Sequence, residues 1–494
     1  MKHAYLANLS IDKSDPGPLH RQLFLKLRDN ILQNVIKAGT RLPSTRLLAE
    51  DLGVSRNTVL SAFDQLMAEG YLEARVGAGT YVSTQIPDEL LGTNSSSEKP
   101  NPKARKIKLS RQAEALRPTG PAKPYHQGPF SPGRPELDQF PFEIWARLLA
   151  KHWRKPEPDY LSGNPVGGAT ALREALAEHL AQTRAVNCEP DQVIVLSGSQ
   201  QAIHLVIKAF AETGDPILME DPGFPGIRNS IIAAGANPIA VPVDDQGFNL
   251  EAAKSLAPKA RLACLSPSHQ YPLGPTMSLQ RRLEILHWAG ENDRFVLEDD
   301  YDSEYRYSGR PLSSLQGLDT EDRVLYVGSM SKVMFSGLRV GYLVVPKDLV
   351  DVFLALRRDI DGHSPAVAEA ALAEFISEGH LATHIRKMRI LYEKRQKVLI
   401  SELRAKCGDF LSVDEQECGM HLIAFLRPEI EDKKVEALAR DQGLMLRALS
   451  AFYEGPEKKN ALIIGFAGTH EKQMPRLVGR LAQILETCAA HMQT

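Results

Sequence analysis

The stretch from Gln85 to about Lys123 contains LGTNSSSEKPNPKARKIKLSRQAEALRPTGPAKP, rich in serine, proline, asparagine and lysine and without apolar periodicity. A hydrophobic core cannot run through such a segment, so it divides the chain into separate folding problems. At 494 residues the chain also exceeds what one core holds. The expected organisation is a first domain over 1–84, a linker over 85–124, a large unit over 125–347 and a smaller one over 348–494. The linker's Lys103, Arg105, Lys106 and Lys108 read as a solvated basic cluster, within reach of phosphates if a polyanion is near.

The first block is dense in helix signals. PLHRQLFLKLRDNILQNVIKAG sets Leu23, Leu27, Ile31 and Val35 at helical spacing. Ser44 then caps a short helix carrying Leu47, Leu48 and Leu52. Gly53 breaks that helix, and Ser55 caps a second one with Val59, Phe63 and Leu66 inside and Gly70 at its end. Two short helices across a tight glycine turn form a helix-turn-helix, whose second helix points its first turn at the DNA major groove. Ser55, Arg56, Asn57 and Thr58 occupy that turn. Arginine can chelate a guanine edge, and hydroxyls at a helix start can hold phosphate. YLEARVGAGTYVS follows as two strands around a glycine turn, a wing. A three-helix domain that binds protein is the competing reading of these residues.

Composition narrows the setting. With 59 Lys and Arg against 61 Asp and Glu, the net charge is −2, so any nucleic-acid site must be local. The 5 cysteines are scattered without a CxxC pair, which argues against a disulfide framework or a zinc site and suits a reducing cytoplasm. The opening MKHAYLANLSIDKSDPGP lacks a signal-peptide core, and no apolar run is long enough for a bilayer. A soluble cytoplasmic protein with no membrane partner and no metal is the expectation.

From Tyr125 onward strand-like runs alternate with helical stretches. Val193–Leu196, Arg294–Asp299, Arg323–Gly328 and Gly341–Val345 are the β-branched runs, interleaved with segments such as ATALREALAEHLAQ. This alternation predicts an α/β fold with a mostly parallel sheet covered on both faces, followed by a helix-rich α+β domain. Within it, VGSMSKVMFSGLRVGY places Lys332 among small hydroxyl residues, with Arg339 one loop later. A lysine forms a Schiff base only with a cofactor aldehyde held in place. Pyridoxal phosphate needs an anion site, a carboxylate for its ring nitrogen, a donor for its ring oxygen and a plate to stack on. Ser199, Gln200 and Gln201 open a helix after a strand, where exposed amides favour phosphate. Phe224 sits in the EDPGFPG turn as a plate. Asp299 ends an apolar strand where it can pair with a pyridine nitrogen, with Tyr301 two residues on. Ser329 and Ser331 flank the lysine, and Arg339 offers a fork for phosphate. Each piece has an ordinary structural explanation; their order favours a cofactor site.

LPSTRLLAEDLGVSRNTVLSAFDQLMAEGYLEARVGAGTYV closely resembles the winged helix of the GntR family of bacterial transcription regulators. That resemblance implies DNA contacts from Arg46, Ser55, Arg56, Asn57 and Thr58, and a wing that approaches the backbone at Gly77. FSPGRPELDQFP, YLSGNPVGGATALREALAEHL, SGSQQAI, EDPGFPG, SPSHQYPLGPTMS, EDDYDSEYRY and SMSKVMFSGLRVGY resemble fold-type-I aminotransferases, from roughly Gln127 to the end. The combined layout is similar to the MocR/GabR-like subfamily. It implies pyridoxal phosphate on Lys332, with Asp299 at the ring nitrogen and Tyr301 at the ring oxygen. Ser199, Gln200, Ser329 and Arg339 would surround the phosphate, with Phe224 on the ring. It further implies a homodimer acting on double-stranded DNA.

Two departures bear on activity. Tyr271 precedes Pro272 where aminotransferases carry asparagine, with Gln270 adjacent. Ile463 stands where the late-strand carboxylate arginine belongs, leaving Arg447, Arg228 and Arg134 as candidate substitutes. The expected function is therefore a regulator that senses a small molecule: an amino acid, an amine or the cofactor itself. A working aminotransferase with an accessory winged helix is the alternative, and a cofactor-free scaffold conflicts with the retained Lys332, Asp299, Tyr301 and Arg339.

Overall fold

A computed structural model of the chain describes residues 9, 11–12, 17–75, 78–84, 108–117, 128–309 and 312–490. Two compact units emerge, Met1–Lys108 and Leu109–Thr494. The basic residues Lys103, Arg105 and Lys106 of the expected linker lie outside the described residues, as does Gly77 of the wing.

The first unit packs α1 (Leu19–Leu32), α2 (Thr45–Leu52) and α3 (Arg56–Ala68) against the antiparallel β1 (Leu72–Arg75) and β2 (Gly79–Val82). Both expected caps are present: the Ser44 side chain accepts from the Leu47 amide and Ser55 from the Thr58 amide. Gly53 closes α2 in the left-handed region, at φ 61°. Its core joins Leu23, Leu27, Ile31, Leu48, Val59, Phe63 and Leu66. The expected periodicity fails at two places. Val35 lies beyond α1 and is exposed, because Asn34 turns left-handed and Ile36 takes the inner position. Leu47 faces outward while Leu48 is buried.

The second unit is built on an eight-stranded sheet with order β3-β10-β9-β8-β7-β4-β5-β6. Its strands are β3 (Val193–Leu196), β4 (Pro216–Asp221), β5 (Asn237–Asp244), β6 (Gly247–Phe248), β7 (Leu262–Leu265), β8 (Phe295–Asp300), β9 (Val324–Ser329) and β10 (Gly341–Val344). The run β9-β8-β7-β4-β5 is parallel, whereas β10 runs against both β9 and β3, and β6 runs against β5. All four residues of β3 are buried, with Val193 and Val195 in one apolar cluster and Ile194 and Leu196 in another. Successive side chains thus feed both faces, as in a sheet covered on two sides.

Among the described residues before the sheet, Ser110 caps a short helix α4 (Arg111–Ala115). It packs on α6 (Pro225–Ala233), which starts right after Phe224; α5 (Ser199–Phe210) follows β3. After the sheet, the long α7 (His380–Cys407) and the terminal α9 (Met474–Ala490) pack together. A four-stranded antiparallel sheet, β11 (Leu411–Val413), β12 (His421–Leu426), β14 (Ala461–Gly465) and β13 (Arg447–Ala448) in that order, accompanies α8 (Asp432–Asp441).

The first unit's core shares no residue with the clusters of the second. Phe63→Ala is therefore expected to cost that unit about 3–5 kcal/mol. Calorimetry of the full chain should show its transition fall while the transition of residues 109–494 stays in place.

Candidate functional site

Strands β3, β4, β7, β8 and β9 share one direction and end at one edge of the sheet, where the opposed β10 begins. The loops at that edge enclose a cavity of about 620 Å³. Ser199, Gln200, Phe224, Asp299, Tyr301, Ser329, Lys332 and Arg339 all line it, so the structure brings these expected residues to one place; Gln201 is not in the lining, and its side chain donates to Asp361 at 2.9 Å. The carboxyl edge of a parallel sheet is where α/β proteins open their binding crevices.

Two neighbouring carboxylates at the end of β8 have opposite environments. Asp300 receives the Nε of buried Arg184 at 2.7 Å and the Tyr326 hydroxyl at 2.7 Å. Burial opposes its charge, but Arg184, Ser303 and Tyr326 outweigh that and hold the carboxyl below its ordinary range. Asp299 is 6 % exposed, and its Oδ1 is buried without a hydrogen-bond partner. Burial first, then the Asp300 charge, push its carboxyl up to about 7, with Lys332 opposing. An orphaned acceptor facing a cavity is unfavourable by itself and calls for a bound donor.

Lys332 lines the same cavity. Its Nζ donates to the Gly133 carbonyl at 3.1 Å, and burial lowers its pKa, which raises the share of neutral amine. The Tyr301 hydroxyl lies 2.8 Å from His269 Nδ1, which is also 2.8 Å from Asp302 Oδ1. Burial would lower the pKa of His269, but Asp302 and Cys418 raise it well above the ordinary value.

The anion end is shaped by close backbone approach. A Cβ on Gly341 would meet Gly198 Cα at 2.7 Å, and one on Gly198 would meet the Arg339 guanidinium at 3.4 Å. Arg339 adopts φ 55°, a left-handed conformation unusual for a residue other than glycine, and its guanidinium lies at the start of α5. That start carries no side-chain cap, so its first amides are free for an anion. Gln200 stands in the first turn, as expected. Its side chain donates to the Gly226 carbonyl at 3.0 Å and to Ser230 Oγ at 2.9 Å, tying α5 to α6 and leaving its backbone for the pocket. The orphan Asp299, the desolvated amine and this amide-lined cradle fit pyridoxal phosphate.

On the first unit, Arg46, Arg56 and Asn57 are exposed, and neither arginine has an ion pair among the described residues. Ser55 and Thr58 are engaged with each other, hydroxyl to hydroxyl at 2.9 Å, in addition to the cap. Their hydroxyls first order the helix start on which Arg56 and Asn57 stand.

Residues 19–82 match the model of the bacterial regulatory proteins of the gntR family, and residues 136–481 match aminotransferase class I and II. The chain is 42 % identical to the probable rhizopine catabolism regulatory protein MocR of Rhizobium meliloti, over 94 % of this chain and 93 % of that one. The chain belongs to the MocR-like subfamily of GntR transcription regulators. A further relative is the HTH-type pyridoxine biosynthesis transcriptional regulator PdxR of Corynebacterium glutamicum, 30 % identical over 96 % of this chain and 97 % of that protein. Among solved structures, kynurenine aminotransferase of Pyrococcus horikoshii superposes with a TM-score of 0.68 at 26 % identity, covering 81 % of this chain and 99 % of that one. This MocR-like chain is thus a pyridoxal-phosphate-dependent, DNA-binding transcription regulator with a fold-type-I aminotransferase domain. No helix among its described residues is long and apolar enough to cross a membrane.

Ile463 is fully buried among Ile423, Leu449 and Phe452. Arg228 is committed to Glu454 at 2.8 Å, whereas Arg134 and Arg447 line the cavity. His269, within the quoted SPSHQYPLG, was left without a role by sequence reasoning; only its spatial contact with Tyr301 gives it one.

The raised pKa of Asp299 carries a signed pH dependence. Its stabilising contribution is complete below pH 3.8 and is lost as pH rises through about 7. Glu220, pushed up to about 8, and Glu298, to about 7, act in the same direction. The cofactor-free regulator should therefore lose melting temperature between about pH 5 and about pH 8, and Asp299→Asn should flatten part of that slope. Thermal melts of both proteins across that range check it.

Proposed function

We propose that this regulator is a homodimeric cytoplasmic sensor, in which a small molecule entering the pocket at Lys332 changes the arrangement of the DNA-reading units. The observation that carries this reading is a poised amine and an unpaired acceptor in one pocket, together with an Ile463 buried in an apolar cluster rather than in the pocket lining. The cofactor machinery is retained, while the residue that would secure an amino-acid substrate for steady transamination is absent from its usual position.

Pyridoxal phosphate supplies an aldehyde for amines and an electron-withdrawing ring. Lys332, with its lowered pKa, is the covalent anchor. Asp299 would accept a hydrogen bond from the protonated ring nitrogen, and Tyr301, steadied by His269, would donate to the ring oxygen. Ser199, Ser329, Arg339 and the Gln200 amide would hold the phosphate, and Phe224 would cover the ring face. On DNA, Arg56 and Asn57 read base edges, Arg46 takes a phosphate, and Ser55 and Thr58 order the helix start.

Switching requires that the effector bind one arrangement of the units more tightly than another. A two-fold dimer would present two heads to paired half-sites. The relatives are named for rhizopine catabolism and for pyridoxine biosynthesis.

Purified protein with pyridoxal phosphate should be yellow, and Lys332→Ala should lose that visible absorption; a colourless wild type sinks the reading. Amines and amino acids should perturb the spectrum without sustained release of keto product, and continuous turnover of a common amino acid would favour the aminotransferase alternative. Arg56→Ala should weaken specific DNA binding by about 1–3 kcal/mol in a titration on a selected site.

A further inference from the structure

We infer that the second unit carries a second ligand site, a cavity separate from the sensing pocket that takes a small phosphate-bearing anion and is coupled to the cofactor site. Such a site stands whether or not an amine enters at Lys332.

This cavity has a volume of about 330 Å³, at the lower end of the about 300–1,000 Å³ usual for small-molecule sites. None of its lining residues lines the sensing pocket. Its wall comes from the end of the helix Thr170–Arg184, the loops that follow β7 and β8, and the first half of α7. Arg184, Ser268 and Cys418 in that wall are buried.

Four guanidinium groups line the cavity, from Arg184, Arg306, Arg386 and Arg389, against one carboxyl, from Glu304. His179, whose pKa is lowered by burial, adds no charge near neutral pH. Arg184 is satisfied: it reaches Asp300 at 2.7 Å, the Leu312 carbonyl at 2.6 Å and Ser268 Oγ at 2.5 Å. The other three are not. Arg306 meets the exposed Glu417 at 2.7 Å, but its Nε is buried without a hydrogen-bond partner. Arg389 gives its Nε and Nη2 to the neutral Glu304 carbonyl, at 3.0 and 2.8 Å. The Arg386 side chain has no ion pair or hydrogen bond among the described residues. Burial first, then the Asp300 charge, raise the Glu304 carboxyl, which favours a proton that it can donate over a charge that would neutralise the arginines.

A terminal phosphate carries up to two charges and three acceptor oxygens, enough to meet guanidinium groups from α7 and from the loop after β8 together. An enclosed volume with Arg184 and Ser268 in its wall suits a free small molecule. A DNA backbone would reach only the exposed Arg386 and Arg389.

The cavity shares its supports with the sensing pocket. Arg184 pairs with Asp300, whose charge in turn raises Asp299. Ser268 precedes His269, Ser303 follows Asp302, and the Cys418 side chain hydrogen-bonds the His269 ring. An anion beside Arg184 offsets that guanidinium and leaves Asp300 less neutralised next to Asp299.

The test uses the full chain loaded with pyridoxal phosphate, so that the cradle at α5 is already filled. Inorganic phosphate and pyrophosphate are titrated at an ionic strength held constant with chloride. Calorimetry should give saturable binding of at least one of them, with one site per chain, and the visible absorption should change with the same midpoint. Arg386→Gln and Arg389→Gln, both on an exposed face of α7, should each weaken that binding about tenfold, the worth of a charge-assisted hydrogen bond. Both variants should keep the visible absorption and melting temperature of the wild type when no anion is added. No saturable binding, or an affinity unchanged in both variants, would overturn the site. Binding with an unchanged spectrum would overturn its coupling to the cofactor. Loss of DNA affinity in the two variants, with no phosphate bound by the wild type, would assign this face to the DNA backbone instead.

Discussion

The ion pair between Arg184 and Asp300 is what allows the pocket to exist in its observed form. Adjacent acids at the end of one buried strand would repel each other and favour protonation. Arg184 takes up Asp300, assisted by Tyr326, and so fixes the end of β8 with one carboxylate satisfied. Asp299 is left unsatisfied on the cavity side, where its cost is recovered when a donor arrives. Lys332, Tyr301, the start of α5 and Arg339 line the same cavity as that unsatisfied acceptor.

Much of this was legible in the sequence because strand ends and helix starts have local signatures. Val193–Leu196 running into SGSQQ, and VLEDD running into YDSEYRY, already place the chemistry at a sheet's carboxyl edge. Ser44, Gly53 and Ser55 likewise announce their helices because capping and left-handed turns depend on neighbours a few residues away. The expected fold and the expected pocket lining were both read from such signals.

What was not legible depends on contacts across long stretches of chain. His269 meets Tyr301 from 32 residues away, and nothing in SPSHQYPLG marks it for that contact. Whether Arg134, Arg228 or Arg447 reaches the cavity turns on ion pairing and strand register, which spacing does not encode. Gln200 was read at the helix start for its backbone amide, but nothing local shows that its side chain ties two helices together. Val35 shows the opposite limit: apolar periodicity carried one position too far past a left-handed asparagine.

The short helix Arg111–Ala115 packs on the helix that begins immediately after Phe224. Within the second unit, a change in Arg111–Ala115 is thus transmitted to a helix that starts one residue after a side chain of the pocket wall, although the segment itself touches no ligand.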